Sequence, residues 1–476
     1  MTKTWLLFLV ILVEGYVVLA VELLAIRQLL PFAGSGVEVV AIVISGVLLP
    51  LAIGYHYGGT AYRRVSRRRK RWLSVRRLLL GNLVLSLLVL TFGLSYPILE
   101  DFFRTLETYG VTHRLSQTAI YTFVFLVGPV FLLGQTVPLV SHYFSRRRLS
   151  EITGRMLFFS TLGAFLGSVF STLVLMMTIG VHNTVIVTLG LLALLCLLLS
   201  RKKRRAGAWA GGFLFFLVFA LNNDPFMKTL GIVSDNAYNL AQTSATPEGD
   251  IRTLFLNRSI SSQISSDLQH TADYLKFIEQ NFIATLPPGA PHDILVIGAG
   301  GFTVGLRDKI NNYTFVDIDP DMKNIAERHF LPEPLGPNKI FVTSSARAFV
   351  RRDEKKYDLI VIDVFQNTIA IPAECTTREF LQDTKARLKE GGALVVNVIA
   401  SPYFQDKFSV RYDRTFGDVF PVHNRQIIGD FNPWRADETP GPPPQANIIY
   451  SYFNRETARD NTVYTDDKNT FSIDRP

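Results

Sequence analysis

A glycine-rich turn and an acidic turn about 20 residues later are the features of this chain best suited to chemistry. The turn Gly298–Gly301 directly follows the apolar run 293–297, and Asp317 ends the next apolar run, 313–316. Glycines let a ligand approach the backbone, and an acid at the end of the second strand can accept hydrogen bonds from both hydroxyls of a ribose. The pattern predicts a nucleotide-type site, unless the glycines only tighten a turn and Asp317 only caps a helix.

The elements that must position these residues alternate between strands and helices. Strands are predicted at 293–298, 313–316, 339–343, 357–363 and 393–398, with helices at 320–330, 346–352 and 377–389. A hairpin at 251–267, turning at Asn257-Arg258-Ser259, and a helix at 270–285 precede them. This alternation is typical of a doubly wound α/β domain, whose parallel strands bind ligands at their carboxyl ends. Asp363 ends the fourth strand and should therefore face the same crevice as Asp317.

The first half of the chain has a different character, because apolar runs alternate there with basic clusters. The runs are 4–26, 37–57, 78–98, 117–141, 156–179 and 183–200, plus a shorter one at 207–222; a membrane span needs about 20 mostly apolar residues. Residues 1–222 contain 22 Lys and Arg against 7 Asp and Glu, whereas 223–476 contain 27 against 33. We expect a polytopic membrane domain of six to seven helices over 1–222 and an α/β domain over 223–476.

The basic clusters predict the orientation of this membrane domain. They follow the second, fourth and sixth runs, at Arg63–Arg77, Arg146–Arg155 and Arg201–Arg205. The positive-inside rule then places these clusters and the N-terminus in the cytoplasm of a multi-pass protein of the inner (plasma) membrane. The last run, Ala208–Leu221, is short for a span. If it crosses the bilayer, the α/β domain lies outside the cytoplasm; if it lies in the interface, that domain stays inside.

Two acids, Glu14 and Glu22, lie within the first span. An ionisable residue at that depth suggests a functional site, here for a cationic substrate such as a polyamine. The alternative is a protonated or hydrogen-bonded carboxyl group that only fixes helix packing. The spacing of Gly163, Gly167 and Ser171 in the fifth span predicts close helix packing rather than chemistry.

Charge and cysteine content exclude two other classes. The formal net charge of +9 is no sign of nucleic-acid binding, because the basic excess lies beside the membrane spans. The only cysteines, Cys196 and Cys375, form neither a disulfide framework nor a metal-ligand pattern. We expect no metal.

The motifs of the second half resemble those of the spermidine synthase (polyamine aminopropyltransferase) family, a branch of the S-adenosylmethionine-dependent methyltransferase fold. They are Asp235–Asn239, LFLNRSISSQ at 254–263, DILVIGAGG at 293–301, VDIDPDM at 316–322 and YDLIVIDVF at 357–365. The whole chain resembles the membrane-fused form of the family, because ELLAIRQLLPFAGSG at 22–36 and VLLPLAIGYHYGG at 47–59 are similar to the start of its membrane domain.

The resemblance implies transfer of an aminopropyl group from decarboxylated S-adenosylmethionine, or a related S-adenosyl compound, to a polyamine such as putrescine. Asp363 matches the first acid of the family's D-x-x-D segment and is the candidate catalytic residue. The candidate nucleoside-binding residues are Gly298, Gly300, Gly301, Asp317, Asp319 and Ser345, and the candidate amine-binding residues are Tyr238, Gln263 and Gln366. A homodimer through the α/β domain is a further expectation.

The chain also departs from the family pattern. Neutral residues replace acids at Asn257, Gly301, Ser345 and Gln366, and the loss of each charge costs about 1–3 kcal/mol of binding or barrier. Gln366 stands where the family has its general base, and a glutamine cannot accept that proton. The hairpin glutamine of the family falls on Ser261, so Gln263 would serve only after a two-residue slip.

Three functions therefore remain open. The first is an aminopropyltransferase, or a relative that uses another S-adenosyl compound, with Asp363 or Asp319 as the surviving base. The second is a catalytically degenerate sensor or regulator that binds a nucleoside or polyamine. The third is a membrane transporter with an accessory α/β domain. A nicotinamide dehydrogenase shares the glycine and acid pattern, but nothing in the sequence supplies a hydride-transfer site.

Overall fold

The structure is a computed structural model. It describes residues 2–34, 36–65, 71–144, 149–200, 206–246, 251–265, 272–365, 371–429 and 445–455.

The first half is helical, as its apolar runs predict. Its helices are α1 (Thr2–Ala33), α2 (Val37–Val65), α3 (Arg71–Gly93), α4 (Tyr96–Thr108), α5 (Arg114–Tyr121), α6 (Gly128–Gly134), α7 (Thr136–Ser141), α8 (Leu149–Phe170), α9 (Met176–Thr178), α10 (Val181–Leu199), α11 (Ala206–Asn222) and α12 (Asp224–Thr229). Single π-helical turns, Thr122–Val127 and Ser171–Leu175, join α5 to α6 and α8 to α9. Within the described residues, seven helical stretches are long and apolar enough to cross a membrane, judged by length and composition; the last is Ala206–Thr229.

The first helix lies at the centre of this bundle. Its side chains Val10, Val17 and Leu24 are fully buried. It packs closely on α8, because a Cβ added at Gly163 would come within 2.0 Å of the Leu12 carbonyl oxygen. A Cβ at Gly167 would meet the Tyr16 carbonyl oxygen at 2.1 Å. The predicted close packing of the small residues on α8 is confirmed.

One end of the bundle meets the α/β half. Arg27 near the end of α1, Glu107 at the end of α4 and Gly180 before α10 all contact residues of 235–258. At the other end of α10, the carbonyl oxygens of Leu199 and Ser200 accept from Arg76 of the first basic cluster. The predicted first span, 4–26, ends too early: α1 continues through Arg27, which is buried in this junction, to Ala33.

A four-stranded antiparallel sheet follows the bundle. Its strands are β1 (Ile232–Asp235), β2 (Leu240–Ala245), β3 (Ile251–Leu256) and β4 (Ser259–Ser265), in that spatial order. The β3–β4 hairpin turns on Asn257 and Arg258, whose φ angles of 50° and 68° fit a type I′ turn. The predicted hairpin is confirmed, with Ser259 already in β4.

The large sheet carries the site. Its strands are β5 (Asp293–Ile297), β6 (Asn312–Asp317), β7 (Lys339–Thr343), β8 (Tyr357–Ile362), β9 (Leu388–Ala400), β10 (Asn424–Ile428) and β11 (Ala446–Phe453), in the spatial order β10-β11-β9-β8-β5-β6-β7. Among the described strands of this sheet, β11 runs in the opposite direction to the other six. The helices of this half are α13 (Asp273–Ile278), which continues as a π-helical turn to Ile283, α14 (Met322–His329), α15 (Ala346–Arg352), α16 (Arg378–Lys385) and α17 (Lys407–Val419). The tail after residue 400, unassigned from sequence, supplies α17 and the last two strands.

Both faces of this sheet are covered, which explains the continuous apolar strands. Ile294 and Val296 pack into one core cluster, whereas their neighbours Leu295 and Ile297 pack into the other. The predicted doubly wound α/β class is confirmed. The glycine turn leads into further turns over 301–307 rather than into a helix.

Candidate functional site

A cavity of about 540 Å³ lies at the carboxyl ends of β5, β6 and β8. That volume is in the range of small-molecule sites, and the location is where open α/β sheets bind ligands. Its wall includes the predicted residues Tyr238, Gly298, Gly300, Asp317, Ser345 and Asp363. Four separate motifs of the sequence therefore meet at one cavity.

The glycine turn lines the cavity, and it also packs closely against neighbouring segments. Gly298 has φ 91°, and a Cβ there would lie 2.1 Å from the Asp363 carbonyl oxygen. Gly300 has φ 47° and lines the cavity. Gly301 is not among the cavity-lining residues: its amide donates to Ser262 Oγ at 2.8 Å, and a Cβ there would collide with Phe330. Close packing, rather than ligand contact, thus explains why an acid is missing at Gly301.

Asp317 lies at the end of β6, as predicted for a ribose-binding acid. Its Oδ2 accepts from the Ala299 amide and its Oδ1 from the Asp319 amide, both at 3.0 Å. Burial raises the pKa of Asp317 to about 6, although these amide bonds oppose the rise. The two amides hold the carboxylate in place, and each oxygen retains a lone pair that can accept a hydroxyl.

Asp319 points away from the cavity, although it is only two residues from Asp317. Its side chain is fully buried, and burial raises its pKa. Asn236 Nδ2 donates to its Oδ1 at 2.8 Å, and Asn239 Nδ2 donates to its Oδ2 at 3.0 Å. The expectation that Asp319 binds the nucleoside or serves as the base is not supported by this placement, because Asn236 and Asn239 of the β1–β2 turn bind its two carboxylate oxygens.

The hairpin that faces the glycine turn explains two further departures. Asn257 lines the cavity, and its amide group donates to Asn239 Oδ1 and accepts from the Leu240 amide. An Asp at this position could not donate to Asn239, so an amide suits the turn. A β-bulge opposite Phe255 directs Ser261 and Ser262 to the glycine turn.

Gln263 lies outside the cavity. Its Nε2 donates to Thr253 Oγ1 at 3.3 Å across the hairpin. Gln263 would need a two-residue slip of the hairpin to reach the amine, and the observed register does not have this slip. Gln366, the other predicted amine-binding glutamine, lies outside the described residues.

Tyr238 and Ser345 both reach the cavity wall. Tyr238 lies in the turn between β1 and β2, where its amide donates to Asn236 Oδ1 at 2.8 Å. Ser345 is the N-cap of α15, and its Oγ accepts from the Ala348 amide at 3.4 Å. Ser345 therefore combines a capping role with a place on the nucleoside side of the cavity.

Asp363 follows β8 and is held by two side chains that the sequence did not single out. Tyr274 Oη donates to its Oδ2, and Asn397 Nδ2 donates to its Oδ1, both at 2.9 Å. Burial raises the pKa of Asp363, while these two hydrogen bonds oppose the rise. Asn397 Oδ1 is buried and has no hydrogen-bond partner among the described residues. A carboxylate with a raised pKa and a free amide oxygen together suit an ammonium group.

The described cavity wall is acidic overall. It contains Asp273, Asp317, Asp363 and Glu374, and no Lys, Arg or His is among its described residues. Asp273 and Glu374 were missed from sequence because they lie outside the family motifs, in α13 and in a 3-10 turn. Two acids thus join the cavity although the family's acids at Asn257, Gly301 and Ser345 are neutral here.

The membrane-domain acids lie far from these motifs, in α1. Glu14 is 1% exposed, and its Oε2 has no hydrogen-bond partner among the described residues. Glu22 is 8% exposed. The structure therefore leaves both predicted roles, cation site and packing carboxyl, as predictions. In the described part of the chain, no group of three His, Cys, Asp or Glu residues could hold a metal ion.

Part of the α/β half is similar to known proteins. Residues 276–428 match the family model described as "Spermine/spermidine synthase domain". A polyamine aminopropyltransferase of Vibrio vulnificus is 33% identical over 171 residues, which cover 34% of this chain and 56% of that protein. Polyamine aminopropyltransferase 2 of Pseudomonas aeruginosa is 29% identical over 152 residues, covering 30% of this chain and 43% of that protein.

Among solved structures, a probable spermidine synthase from Corynebacterium glutamicum is similar, with a TM-score of 0.39 and 20% identity. The match covers 48% of this chain and 81% of that one. The chain spans about half the length of the two curated relatives. The predicted resemblance is confirmed over residues 276–428, which match the model of a spermine/spermidine synthase domain.

Proposed function

We propose that this chain is a membrane-bound aminopropyltransferase that uses decarboxylated S-adenosylmethionine and a polyamine acceptor such as putrescine. The observation that carries the proposal is the acidic cavity wall, with its four carboxylates and no described cation. The two substrates carry a sulfonium and ammonium groups but no carboxylate. S-adenosylmethionine itself carries a carboxylate, which would find no cationic partner among the described wall residues.

The roles of the site residues follow from their positions. Asp317 accepts the two ribose hydroxyls beside the glycine turn, and Ser345 lies on the nucleoside side. Asp363 and Asn397 Oδ1 bind the attacking amine, and Tyr238 and Glu374 line the cavity beside it. The amine nitrogen forms a bond to the aminopropyl carbon as the carbon–sulfur bond breaks. The sulfur keeps that electron pair in neutral methylthioadenosine, and Asp363 takes the proton from the nitrogen.

Putrescine and decarboxylated S-adenosylmethionine, given to the purified full chain in nanodiscs, provide the direct test. We expect methylthioadenosine and spermidine in equal amounts, detected by mass spectrometry. The same assay with S-adenosylmethionine should give neither product. If the protein binds methylthioadenosine in calorimetry but makes no product from putrescine or longer polyamines, the transferase proposal is wrong.

A sensor is the second candidate, and the junction with the membrane domain favours it. Asp319, two residues from the proposed ribose-binding acid, contacts Asn236, whose backbone oxygen accepts from Arg27 of α1 at 2.8 Å. In this reading the domain binds the nucleoside or polyamine without turnover and the membrane helices respond. An accessory role beside a transporter rests only on Glu14 and Glu22. A homodimer through the α/β domain stays a prediction.

We also propose an inner (plasma) membrane location with seven spans, a cytoplasmic N-terminus and the α/β domain outside the cytoplasm. The support is α10, whose start at Gly180 contacts Asp235 of the α/β half, whereas the carbonyl oxygens of Leu199 and Ser200 at its end accept from Arg76 of the first basic cluster. Because S-adenosyl compounds are made in the cytoplasm, this placement requires the nucleoside to reach the far side of the membrane.

Cysteine labelling of intact cells tests the orientation. Cysteines replacing Arg67 and Lys203, both outside the described residues, should resist a membrane-impermeant thiol reagent. A cysteine replacing the exposed Lys309 of the α/β half should react. The native Cys196 and Cys375 are both buried and provide a low background. The reverse pattern would place the α/β domain in the cytoplasm.

A further inference from the structure

The first membrane helix reaches the nucleoside cavity itself. Leu30 of α1 is part of the cavity wall, together with Ala237, Tyr238 and Ile318. Arg27 lies one helical turn earlier on the same face of α1. It is 8% exposed, although it lies near the end of a membrane span.

Arg27 is fixed by contacts to the β1–β2 turn. Its Nη2 lies 3.3 Å from Asp235 Oδ1, and its Nε donates to the Asn236 carbonyl oxygen at 2.8 Å. Asp235 is itself 8% exposed, so the pair is buried on both sides. Guanidinium geometry suits this double contact, because two donors of one planar group point at two neighbouring acceptors.

The contact continues to the proposed ribose-binding acid. Asn236 Nδ2 donates to Asp319 Oδ1 at 2.8 Å and to Asp321 Oδ2 at 3.0 Å. The Asp319 amide donates to Asp317 Oδ1. A continuous series of hydrogen bonds therefore runs from Arg27 to the carboxylate of Asp317.

A second contact fixes the opposite wall to the same helix. Arg258 lies 4.8 Å above the ring of Phe32 in α1, and its Nη1 is 3.9 Å from Glu107 in α4. The neighbouring Asn257 lines the cavity. The two turns at 236–239 and 257–258, which border the cavity, thus both contact the membrane domain.

We propose that Arg27 is a positioning residue for the nucleoside site, and that α1 completes this site through Leu30. Nucleoside binding and the position of α1 are then energetically coupled, so that each affects the other by the same factor. This proposal rests on the proposed function for one point only, which is that the ligand of the cavity is a nucleoside. The hydrogen-bond series itself can be tested without any ligand.

The first measurement is hydrogen exchange of the full chain in nanodiscs without ligand. Removing Arg27 alone would leave the buried Asp235 with only His182 beside it, whose Nδ1 lies 3.7 Å from its Oδ2, so the main variant is the neutral pair Arg27→Met with Asp235→Asn. We expect faster exchange of the amides at 317–321 in this variant, by roughly tenfold. The control is Arg104→Gln, because Arg104 is exposed and pairs only with Glu100 and Asp101 of its own helix. Unchanged exchange at 317–321 in a folded double variant would overturn the positioning role.

The second measurement is methylthioadenosine affinity by calorimetry on the same proteins. The double variant should bind about fivefold or more weakly, within the usual range of coupling energies, whereas Arg104→Gln should bind as the wild type does. Arg27→Lys keeps the charge but loses the planar fork, so it should restore only part of the affinity. Equal affinity of wild type and double variant would overturn the coupling.

The two measurements separate the two proposals. If the wild type binds no nucleoside, the proposed function fails, while the exchange data still decide whether Arg27 positions the 317–321 turn. Leu30→Trp supplies an independent variant, because it places a larger side chain in the cavity wall without touching the Arg27 contacts. It should weaken binding with unchanged exchange at 317–321, and unchanged affinity would remove Leu30 from the site.

Discussion

The turn after β6 and the end of β8 hold their acids in different ways. Asp317 is held by two backbone amides, from Ala299 and Asp319. Asp363 is held by two side chains, the Tyr274 hydroxyl and the Asn397 amide. Backbone amides in a tight turn fix a carboxylate rigidly, and they remain in place when the side chain of the donor residue is replaced. Side-chain donors can be exchanged one at a time.

This difference fits two tasks within one cavity. A ribose needs a rigid acceptor of fixed geometry, which the turn after β6 supplies. A group that takes a proton needs a pKa matched to its partner, and that pKa is set by burial and by replaceable donors. Burial raises the pKa of both acids, but only Asp363 lies beside an amide oxygen without a partner among the described residues.

The largest effect should come from Asp363→Asn. Loss of a general base lowers the rate by about 10²–10⁴-fold, so turnover of putrescine should fall at least a hundredfold. Methylthioadenosine affinity should change less than threefold, because Asp317 holds the ribose. Rates from a product assay and affinity from calorimetry measure both. The matched control is Asp418→Asn, because Asp418 is half-exposed and pairs with Arg378 on the surface. Equal turnover of the Asp363 variant and this control would remove Asp363 from the chemistry.

A smaller effect is expected from Asp317→Ala. Loss of both ribose acceptor contacts should weaken methylthioadenosine binding by at least about tenfold, or about 1.4 kcal/mol. The rate at saturating substrate should fall less than in the Asp363 variant. Unchanged affinity in a folded protein would leave Asp317 only the role of bonding the Ala299 and Asp319 amides.

Binding should also depend on pH through Asp317. Its pKa is raised to about 6 from an ordinary value of 3.8, so the ionised acceptor form is lost as the pH falls through about 6. Methylthioadenosine affinity should therefore decrease between pH 7 and pH 5, and the decrease should be absent from Asp317→Ala. Titration calorimetry in buffers of constant ionic strength measures this. A wild-type affinity that rises as the pH falls would contradict the role of the ionised carboxylate.

Sequence predicted the parts of this site that local pattern determines. The apolar strand 293–297, the glycine turn and Asp317 lie where the pattern placed them, because strand ends and positive φ angles are local properties. Asp319 was misplaced, since sequence does not tell which of two neighbouring acids faces a cavity until the packing partner is known. Here that partner is Asn236, 83 residues earlier.

The remaining site residues depend on contacts between distant segments. Tyr274 reaches Asp363 across 89 positions, and Arg27 reaches Asn236 across 209. No spacing rule connects residues so far apart. Arg27 directly follows the apolar run 4–26, and that position alone does not indicate its partner. Gln263 failed for a different reason, because a β-bulge opposite Phe255 sets the register of the hairpin.

The smallest effect should come from Tyr274→Phe, which removes a single donor from Asp363. The Tyr274 hydroxyl bond opposes the raised pKa of Asp363, so its loss should raise that pKa further. The acidic limb of the rate profile should therefore move to higher pH. The alkaline plateau should stay within twofold, because Asp363 is fully ionised there in both proteins. A plateau that falls tenfold or more would instead make the tyrosine hydroxyl part of the proton path. An unmoved limb would show that the Tyr274 hydroxyl has no part in setting the ionisation of Asp363.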